Sequence, residues 1–449
     1  MHNKKLGFLI LGIVLTAIVY YLMSNNISTT KALEQNTKLK QQVNMQLTQM
    51  QSSGFSILDR EIQQEEEHFV ISLDDPQKAT VFFAQKGLRI DIEEAEELKG
   101  LKVRVDVSYF NNAISLDLYP VTLPINLKTI LAIEENKDLS SQIDEMLKQK
   151  VFFMHMNVDH SATTFTGNVK DISETIKDEK EIQLTLQGYE FSGELKGERV
   201  TKFKQTLNES HLQMGDEMDR YISGLESSYE LTGATTYDYI SDYSIEEIKI
   251  NEAPMAVLHA NNISLHSTSN VKNGLAEEKF NIKMNNIDIL TEEEKIGMKT
   301  LLLDMNMSNI DVAALEKLQK TDSKNIKESD ALIETIVSKN IHMDISMLSV
   351  EQMILHGKEI PGFTLHSKMD IDPSLDIYQL GINPKHARNK MNGDIHLSLS
   401  KELLNVIKED PKAMLTYMMY RPKRKLGQRI YHIRIGNGKI KVNGKTVDF

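Results

Sequence analysis

Two amino acids are missing from this chain: among its 449 residues there is no cysteine and no tryptophan. The lack of cysteine excludes disulfide bonds, thiolate metal sites, a cysteine nucleophile and a lipid-modified amino-terminal cysteine. It does not assign a compartment, because a reducing cytosol and an oxidising exterior both tolerate such a chain. An excess of basic residues is missing as well. The formal net charge of -12 argues against nucleic-acid binding, which normally needs a basic surface.

Catalytic motifs are also missing: the sequence contains no HExxH, no GxSxG and no EF-hand loop. The segment Gly438–Thr446 ends in Gly-Lys-Thr, but it has one residue too many between Gly438 and Gly444 for a phosphate-binding loop. Its Lys-Ile-Lys-Val also alternates like a strand, where the motif needs a loop that opens a helix. We therefore expect no nucleotide site, no cofactor and no enzymatic activity.

Candidate metal ligands and acidic clusters occur in four places: His155 with Asp159 and His160, His342 with Asp344, Glu65–Glu67, and Glu93–Glu97. A metal needs several ligands that converge, and a calcium loop needs spaced oxygen ligands. A solvated polar surface explains these residues equally well. We predict no metal site and expect the acidic clusters to lie in solvated loops or helix faces.

The strongest local signal is Leu6–Met23, LGFLILGIVLTAIVYYLM, a run without charge that would span about 27 Å as a helix. Lys4 and Lys5 precede it, and this bias places the amino terminus in the cytoplasm. We predict a transmembrane signal anchor over residues 1–24. A cleaved signal peptide and a buried core helix are the alternatives, although the run is followed by no small-x-small cleavage pattern.

The remainder has an ordinary globular composition, 40% hydrophobic and 26% charged, and the length of about two or three domains. Residues 25–54 are predicted to form a stalk helix, because Leu39, Val43, Leu47 and Met50 recur at helical spacing. We expect the anchor and stalk to contribute little to the cores of the later strands.

Beyond Gly54 the hydrophobic period changes to that of strands. The alternating runs are Leu101–Val107, Ile114–Leu118, Ile182–Leu186, Ile263–Leu265, Ile341–Ile345 and Ile395–Leu399. The sequence therefore predicts an α+β, β-rich fold: an amino-terminal transmembrane helix followed by antiparallel sheets of hairpins and meanders, with short interspersed helices. Two similar halves are a further option, because Ile143–Met156 and Ile333–Ser346 share apolar register. A soft boundary in Gly193–Gly233 gives a first β-rich exported region at 55–196 and a second at 197–449.

Two local segments carry a resemblance to a known family. They are Leu301–Gln319, a strand that ends in Asn-Ile-Asp and enters a helix, and the carboxyl-terminal GNGKIKVNGKTVDF. With the general layout, they resemble the YdgA-like family of bacterial membrane-anchored proteins, a domain of unknown function. The resemblance implies an exported β-rich fold at a bacterial inner membrane, in a single pass with the bulk of the chain in the periplasm. It implies no active site.

The carboxyl end predicts a three-stranded meander with turns at Gly436-Asn437 and Asn443-Gly444, in which Ile440 faces both Ile433 and Val447. Basic residues cluster here: Arg421, Lys423, Arg424, Lys425, Arg434, Lys439 and Lys441. They either extend into water or contact an anionic envelope partner such as phospholipid headgroups.

Three functions are open at this stage. The first is a membrane-anchored envelope protein with a non-catalytic binding or structural role. The second is a carrier that holds lipid or another apolar molecule in a β-sheet groove, for which methionines near strands are suited because Met adapts to varied ligands. These methionines are Met305, Met307, Met343, Met347, Met353 and Met369, and plain packing of the core is the alternative role for them. The third is an envelope hydrolase. A continuous apolar trough on an open sheet would favour the carrier.

Overall fold

The computed structural model describes residues 32–447 except 86–89, 111–112, 132–136, 160, 162, 178–179, 197–198, 253–255, 291–293, 322–325 and 376–388. The predicted anchor, Leu6–Met23, lies outside these residues. Within them, no helix is both long enough and apolar enough to cross a membrane. Strand accounts for 60% and helix for 21%, and the strands pair antiparallel, which confirms the β-rich fold.

The chain divides into two units, one ending at Asp219 and one beginning at Arg220. This division lies inside the segment Gly193–Gly233 but later than residues 196–197. In the first unit the strands are β1 (Phe55–Ile62), β2 (Glu66–Leu73), β3 (Lys102–Tyr109), β4 (Ala113–Thr122), β5 (Met154–Asp159), β6 (Thr164–Val169), β7 (Ile172–Ile176), β8 (Ile182–Gln187), β9 (Glu190–Lys196) and β10 (Arg199–Met214). Its helices are α1 (Ala32–Ser52), α2 (Pro76–Gln85), α3 (Ile92–Glu97), α4 (Ile125–Leu131) and α5 (Lys137–Lys148).

The first unit is an antiparallel sheet in the order β1-β2-β3-β4-β5-β6-β9-β10-β8-β7. One of its faces is buried, as the alternation of Val103, Val105 and Val107 predicts, and all three are at most 2% exposed. Residues of α1, α2, α3 and α5 share one core cluster with these strands. The apolar face of this sheet is therefore covered by helices.

Helix α1 lies within the predicted stalk and is part of that core. Leu47 and Met50 are 1% and 0% exposed, while Met45 on the other side of the helix is 56% exposed. The expectation that the stalk contributes little to the core does not hold for these two residues. The helical spacing was visible in the sequence, but the sheet that receives its apolar side was not.

Glu67, expected in a solvated cluster, is buried in the first unit. Its carboxylate accepts a hydrogen bond from Tyr109 Oη at 3.0 Å and pairs with Arg60 Nε at 2.6 Å. A buried carboxylate needs such partners, because an unpaired charge in the interior is strongly unfavourable. Burial and the adjacent Glu67 charge raise the pKa of Tyr109.

The second unit contains longer strands, and β11 crosses the boundary. The strands are β11 (Met218–Leu231), β12 (Tyr239–Glu252), β13 (Ala256–Lys272), β14 (Leu275–Leu290), β15 (Lys295–Asp311), β16 (His342–Leu355), β17 (Lys358–Ile371), β18 (Met391–Leu399), β19 (Lys423–Lys425), β20 (Gln428–Gly436), β21 (Lys439–Val442) and β22 (Lys445–Val447). The helices are α6 (Val312–Lys320), α7 (Ile326–Val337), α8 (Lys401–Ile407) and α9 (Pro411–Met419).

From β12 onward the second unit is an antiparallel meander in which successive strands pair, up to β18. β18 then pairs with β20, which also pairs with β19 and β21, and β22 follows β21. The helix-then-strand succession that suggested a repeat is present twice, as α5 before β5 and α7 before β16.

The carboxyl-terminal meander differs from its predicted register at one turn. Asn437 and Gly438 have φ values of 51° and 69°, so they form the two-residue turn, and Ile435 rather than Ile433 faces Ile440. A two-residue turn of this kind needs positive φ at both positions, which Asn-Gly supplies better than Gly-Asn. The second turn and the pairing of Ile440 with Val447 are confirmed.

Candidate functional site

A transverse interruption crosses the sheet of the second unit. Asn262 in β13 and Thr300 in β15 have φ values of 50° and 53°, in the left-handed region. At their level the ladder pairing is absent from β12 to β17, although it is in register on both sides. We call this level the crease. It contains Glu246, Asn262, Asn285, Thr300, Glu351 and Gly362.

Apolar residues flank the crease on both sides in every one of these strands. Directly paired residues share a face of a sheet, so the ladder assigns them to continuous rows. The row on one side is Ile245, Ile263, Met284, Leu301, Val350, Phe363 and Leu399. The row on the other side is Ile248, Ala260, Ile287, Met298, Met353 and Ile360.

A third row extends the first one away from the crease. It consists of Tyr243, Leu265, Ile282, Leu303, Leu348, Leu365, Leu397 and Tyr431. None of the three rows contains a charged residue. We call these three rows the apolar face.

Packing confirms that both sides of the crease belong to one face. Met353 and Ile360 from one side and Phe363 from the other pack against the same buried cluster, which includes Leu399 and Leu403 of α8. The residues next to the crease include the most buried ones of the face: Ile245 is 5% and Val350 3% exposed. The apolar face is therefore continuous across the crease.

The middle of the apolar face is half-buried. Leu265, Ile282, Leu303, Leu348 and Leu365 are all partly exposed, and none belongs to a buried cluster. The clusters lie at the two ends of the second unit: one includes Val312 and Leu315 of α6, and the other includes the α8 residues. The helices of the second unit thus cover the ends of the face more than its centre.

The apolar face is long. Neighbouring strands are about 4.8 Å apart, so a row that crosses the seven strands from Ile245 to Leu399 extends about 29 Å. The whole hydrocarbon core of a bilayer is about 30 Å thick, so one extended acyl chain needs about half of this length. An acyl chain laid across the strands would therefore fit with space to spare.

Five of the six methionines named from the sequence lie on the same side of the sheet as the apolar face. Met307, Met343 and Met369 are direct neighbours on three successive strands, in line with the apolar rows. Met305 and Met353 also lie on this side, whereas Met347 pairs with Asp304 on the opposite, polar side. Because its side chain is flexible and polarisable, Met accommodates ligands of varied shape.

A polar group lies at the β12–β14 end of the same face. Tyr239, Ser269 and Glu278 are paired neighbours, Tyr239 Oη donates to the Glu278 carboxylate, and Ser267 Oγ donates to Tyr239 Oη at 3.3 Å. Burial, together with the hydrogen bond to Glu278, raises the pKa of Tyr239 to about 12. The apolar face thus has one end at which polar atoms of an amphiphile could be bound.

The opposite face of the sheet is polar and rich in histidine. His366, His396 and His432 are direct neighbours on β17, β18 and β20, and the rings of His396 and His432 stack with centroids 4.1 Å apart. Asp394 lies 2.7 Å from His396 Nε2 and 2.9 Å from His432 Nε2. This group is not visible in the sequence, because only strand pairing brings Asp394 and His432 together.

Asp394, His396 and His432 lie close enough to bind one metal ion together. Among the described residues, this is the group of His and acidic side chains that meets that condition. Arg434 Nε lies 3.2 Å from Asp394 and 3.1 Å from His432 Nε2. A guanidinium at that place competes with a cation for the carboxylate. The hydrogen bond from His432, opposed by partial burial and aided by Arg434, holds the pKa of Asp394 below its ordinary value.

The other candidate ligands do not converge. His155 pairs with Asp117 at 2.7 Å, and Asp159 accepts hydrogen bonds from Thr163 and Thr164 within its own turn. His342 pairs with Asp370 at 2.6 Å, and Asp344 pairs with Lys368. His160 lies outside the described residues. The segment Gly438–Thr446 forms the β21–β22 hairpin, without the helix that a phosphate-binding loop opens.

The residues of the predicted basic patch lie in and beside β19, β20 and β21, and both β19 and β21 pair with β20. Arg421, Lys423, Arg424 and Lys425 are exposed around β19, whereas Arg434 is paired with Asp394. Lys441 faces Arg434, and Lys439 faces Gly436. Arg421 O accepts a hydrogen bond from Asn443 Nδ2 at 3.1 Å, so the segment that carries the first four residues adjoins the β21–β22 hairpin.

Comparisons with family models, with curated proteins and with solved structures found no match to this chain. The resemblance to the YdgA-like family stays a prediction.

Proposed function

We propose that this protein binds an elongated apolar molecule, such as the acyl chains of a lipid, along the apolar face of its second unit. Of the functions considered from the sequence, this is the carrier. The observation that supports it is the set of three uncharged rows that cross the sheet without interruption, from Tyr243 to Tyr431 in the longest. The proposal assigns the chain a binding role and no catalytic step.

The two units differ in a way that favours binding over plain structure. In the first unit the apolar positions of β3 and β4 are buried under helices, with Val105, Val107 and Leu118 all at 0% exposure. In the second unit the corresponding positions, such as Leu303 and Leu365, stay half-buried. Exposed apolar surface costs about 25 cal/mol per Å², so a ligand that covers it gains that amount.

We propose that Leu6–Met23 anchors the chain in a bacterial inner membrane, in a single pass, with the described units on the periplasmic side. The absence of charge within this run supports a membrane span. The lysines before it support that orientation. A carbonate wash of isolated membranes tests it: the full chain is expected to stay in the membrane fraction, and complete release would contradict the anchor.

Photocrosslinking in cells tests the binding site with a matched pair of neighbouring residues. Leu302 and Leu303 are both half-buried in β15, but Leu303 belongs to the apolar face, whereas Leu302 pairs with Lys283 and Ser349 on the opposite side. A photoreactive phenylalanine analogue is placed at one or the other position of the full chain. After irradiation, the purified protein is analysed by intact mass.

We expect adducts with the mass of an acyl-chain lipid at Leu303 and none at Leu302. Equal adducts at both positions, or no lipid-sized adduct at Leu303, would contradict the proposal. A crosslink between two copies of the chain at Leu303 would also contradict it, because a second copy would then cover the face. The substitution Leu303→Asp should remove lipid that co-purifies with the chain, whereas Leu302→Asp should leave it.

A further inference from the structure

Helix α9 exposes several of its apolar side chains to solvent, which is unusual for a surface helix. Tyr417 packs against the cluster of Leu399 and Leu403. Leu415, Met418 and Met419 face outward and are 61%, 59% and 56% exposed. Surface helices of soluble domains normally turn such a stripe toward the core. The outward stripe is therefore unexplained by the packing of this unit.

The next turn along the chain adds a second apolar residue in an exposed place. Leu426 and Gly427 form the two-residue turn between β19 and β20, with φ values of 48° and 82°. Leu426 is 94% exposed. Asn or Gly normally occupies this position, because a bulky side chain is unfavourable at positive φ. Leucine at this position therefore stabilises the turn less than asparagine would.

The sequence on both sides of the Leu426-Gly427 turn is basic. Between Met419 and Arg429 the chain contains five basic residues and no acidic one. The five are Arg421, Lys423, Arg424, Lys425 and Arg429. In the described part of the chain, no ion pair involves Arg421, Lys423, Arg424 or Lys425, although the chain as a whole is acidic.

We infer that the segment Pro411–Arg429 is a docking element for the surface of an anionic phospholipid bilayer. In this geometry the basic residues contact headgroups, while Leu426 and the outer side of α9 enter the boundary between headgroups and acyl chains. Apolar side chains rimmed by Lys and Arg are the pattern that binds such an interface, because burial and charge attraction act together. The net charge of -12 opposes a nucleic acid as the partner.

The docking element lies outside the apolar face and does not depend on lipid binding there. It refines the predicted anion patch: Arg434 is excluded, since Asp394 already neutralises it, and Arg429 is added. If both proposals hold, the element would place one part of the second unit at the membrane from which a lipid is taken.

The absence of cysteine provides a direct test, because one introduced cysteine is a unique labelling site. The full chain with Leu426→Cys carries an environment-sensitive fluorophore and is reconstituted into vesicles. One set of vesicles is phosphatidylcholine alone, and the other contains a third of phosphatidylglycerol. The control is Asn273→Cys, in the Asn273-Gly274 turn between β13 and β14, which also has positive φ at both residues and is exposed.

We expect a blue shift of the probe at residue 426 with phosphatidylglycerol, several-fold stronger quenching by spin-labelled lipid than at residue 273, and loss of both in high salt. Combined Lys423→Glu and Lys425→Glu should also abolish them. In unlabelled chains, Leu426→Asn supplies the usual turn residue, so it should fold at least as well while binding anionic vesicles more weakly. If the emission of the probe at residue 426 does not change with phosphatidylglycerol, or if quenching is equal at both sites, the inference is overturned. A protein would then be the partner.

Discussion

Met298 and Leu301 lie three residues apart in β15, yet both side chains belong to the same apolar face. In a regular strand, residues three apart point to opposite faces. Thr300 lies between them with a φ of 53°, and this left-handed residue resets the alternation. Ile245 and Ile248 of β12 show the same relation, so the reset is a property of the sheet and not of one strand.

The reset has a clear consequence for the second unit. Without it, apolar residues that lie on one face before the crease would lie on the opposite face after it. With it, strands of up to 17 residues keep a single apolar face across the crease.

Thr300 is predicted to be a strained position whose replacement stabilises the protein. A β-branched residue in the left-handed region is unfavourable by about 1–2 kcal/mol, whereas asparagine tolerates this conformation. We expect Thr300→Asn to raise the free energy of unfolding by about 0.5–1 kcal/mol, measured by urea denaturation followed by circular dichroism. Thr268→Asn is the control, because Thr268 lies in a regular part of β13. A gain at Thr268 equal to that at Thr300 would argue against strain.

The crease also explains which strands could be predicted from the sequence. The alternation of Val103, Val105 and Val107 is uninterrupted, and β3 was predicted at the correct place. In β13 the sequence indicated only Ile263 and Leu265, although the strand spans 17 residues. Its apolar positions shift from Ala260 to Ile263 at the crease, which breaks the period of two that sequence patterns rely on.

The apolar face itself could not be derived from the sequence, because strand pairing assembles it. Tyr243 and Tyr431 end the same row but are far apart in the chain. Local context was also misleading at Glu67, whose charged neighbours suggested solvent. Its burial depends on Tyr109, which is 42 residues away in the sequence.

Leu47 of α1 is predicted to be essential for the stability of the first unit. It is 1% exposed in the core, and truncation of a buried leucine costs about 2–5 kcal/mol. Met45, two residues away in the same helix, is 56% exposed and provides the control. We expect Leu47→Ala to lower the urea midpoint clearly and Met45→Ala to change the free energy of unfolding by less than about 0.5 kcal/mol. Equal effects of the two substitutions would show that α1 is a separate stalk after all.

Asp238 is predicted to link the stability of the second unit to pH. This buried carboxylate accepts hydrogen bonds from Val271 N–H at 2.8 Å, from Thr235 N–H at 3.0 Å and from Thr235 Oγ1 at 2.7 Å. Burial alone would raise the pKa of Asp238, but these hydrogen bonds outweigh it and hold the pKa below the ordinary value of 3.8. The ionised carboxylate therefore stabilises the folded state at any pH above that ordinary value. This contribution is lost as the pH falls through the lower folded-state pKa.

Removal of the charge should accordingly have a pH-dependent cost. We expect Asp238→Asn to lower the free energy of unfolding by about 1–3 kcal/mol at neutral pH, because the amide has one acceptor oxygen and leaves one of the two backbone donors unmatched. The difference from the native protein should shrink as the pH is lowered from about 4 through the folded-state pKa of Asp238, because protonation of the unfolded chain and then of the folded carboxylate removes the contribution of the charge. Urea midpoints at a series of pH values measure this, with Asp216→Asn as the control, because Asp216 lies in an exposed turn. A difference for Asp238→Asn that stays constant down to the lowest pH would assign the loss to packing and not to the ionised carboxylate.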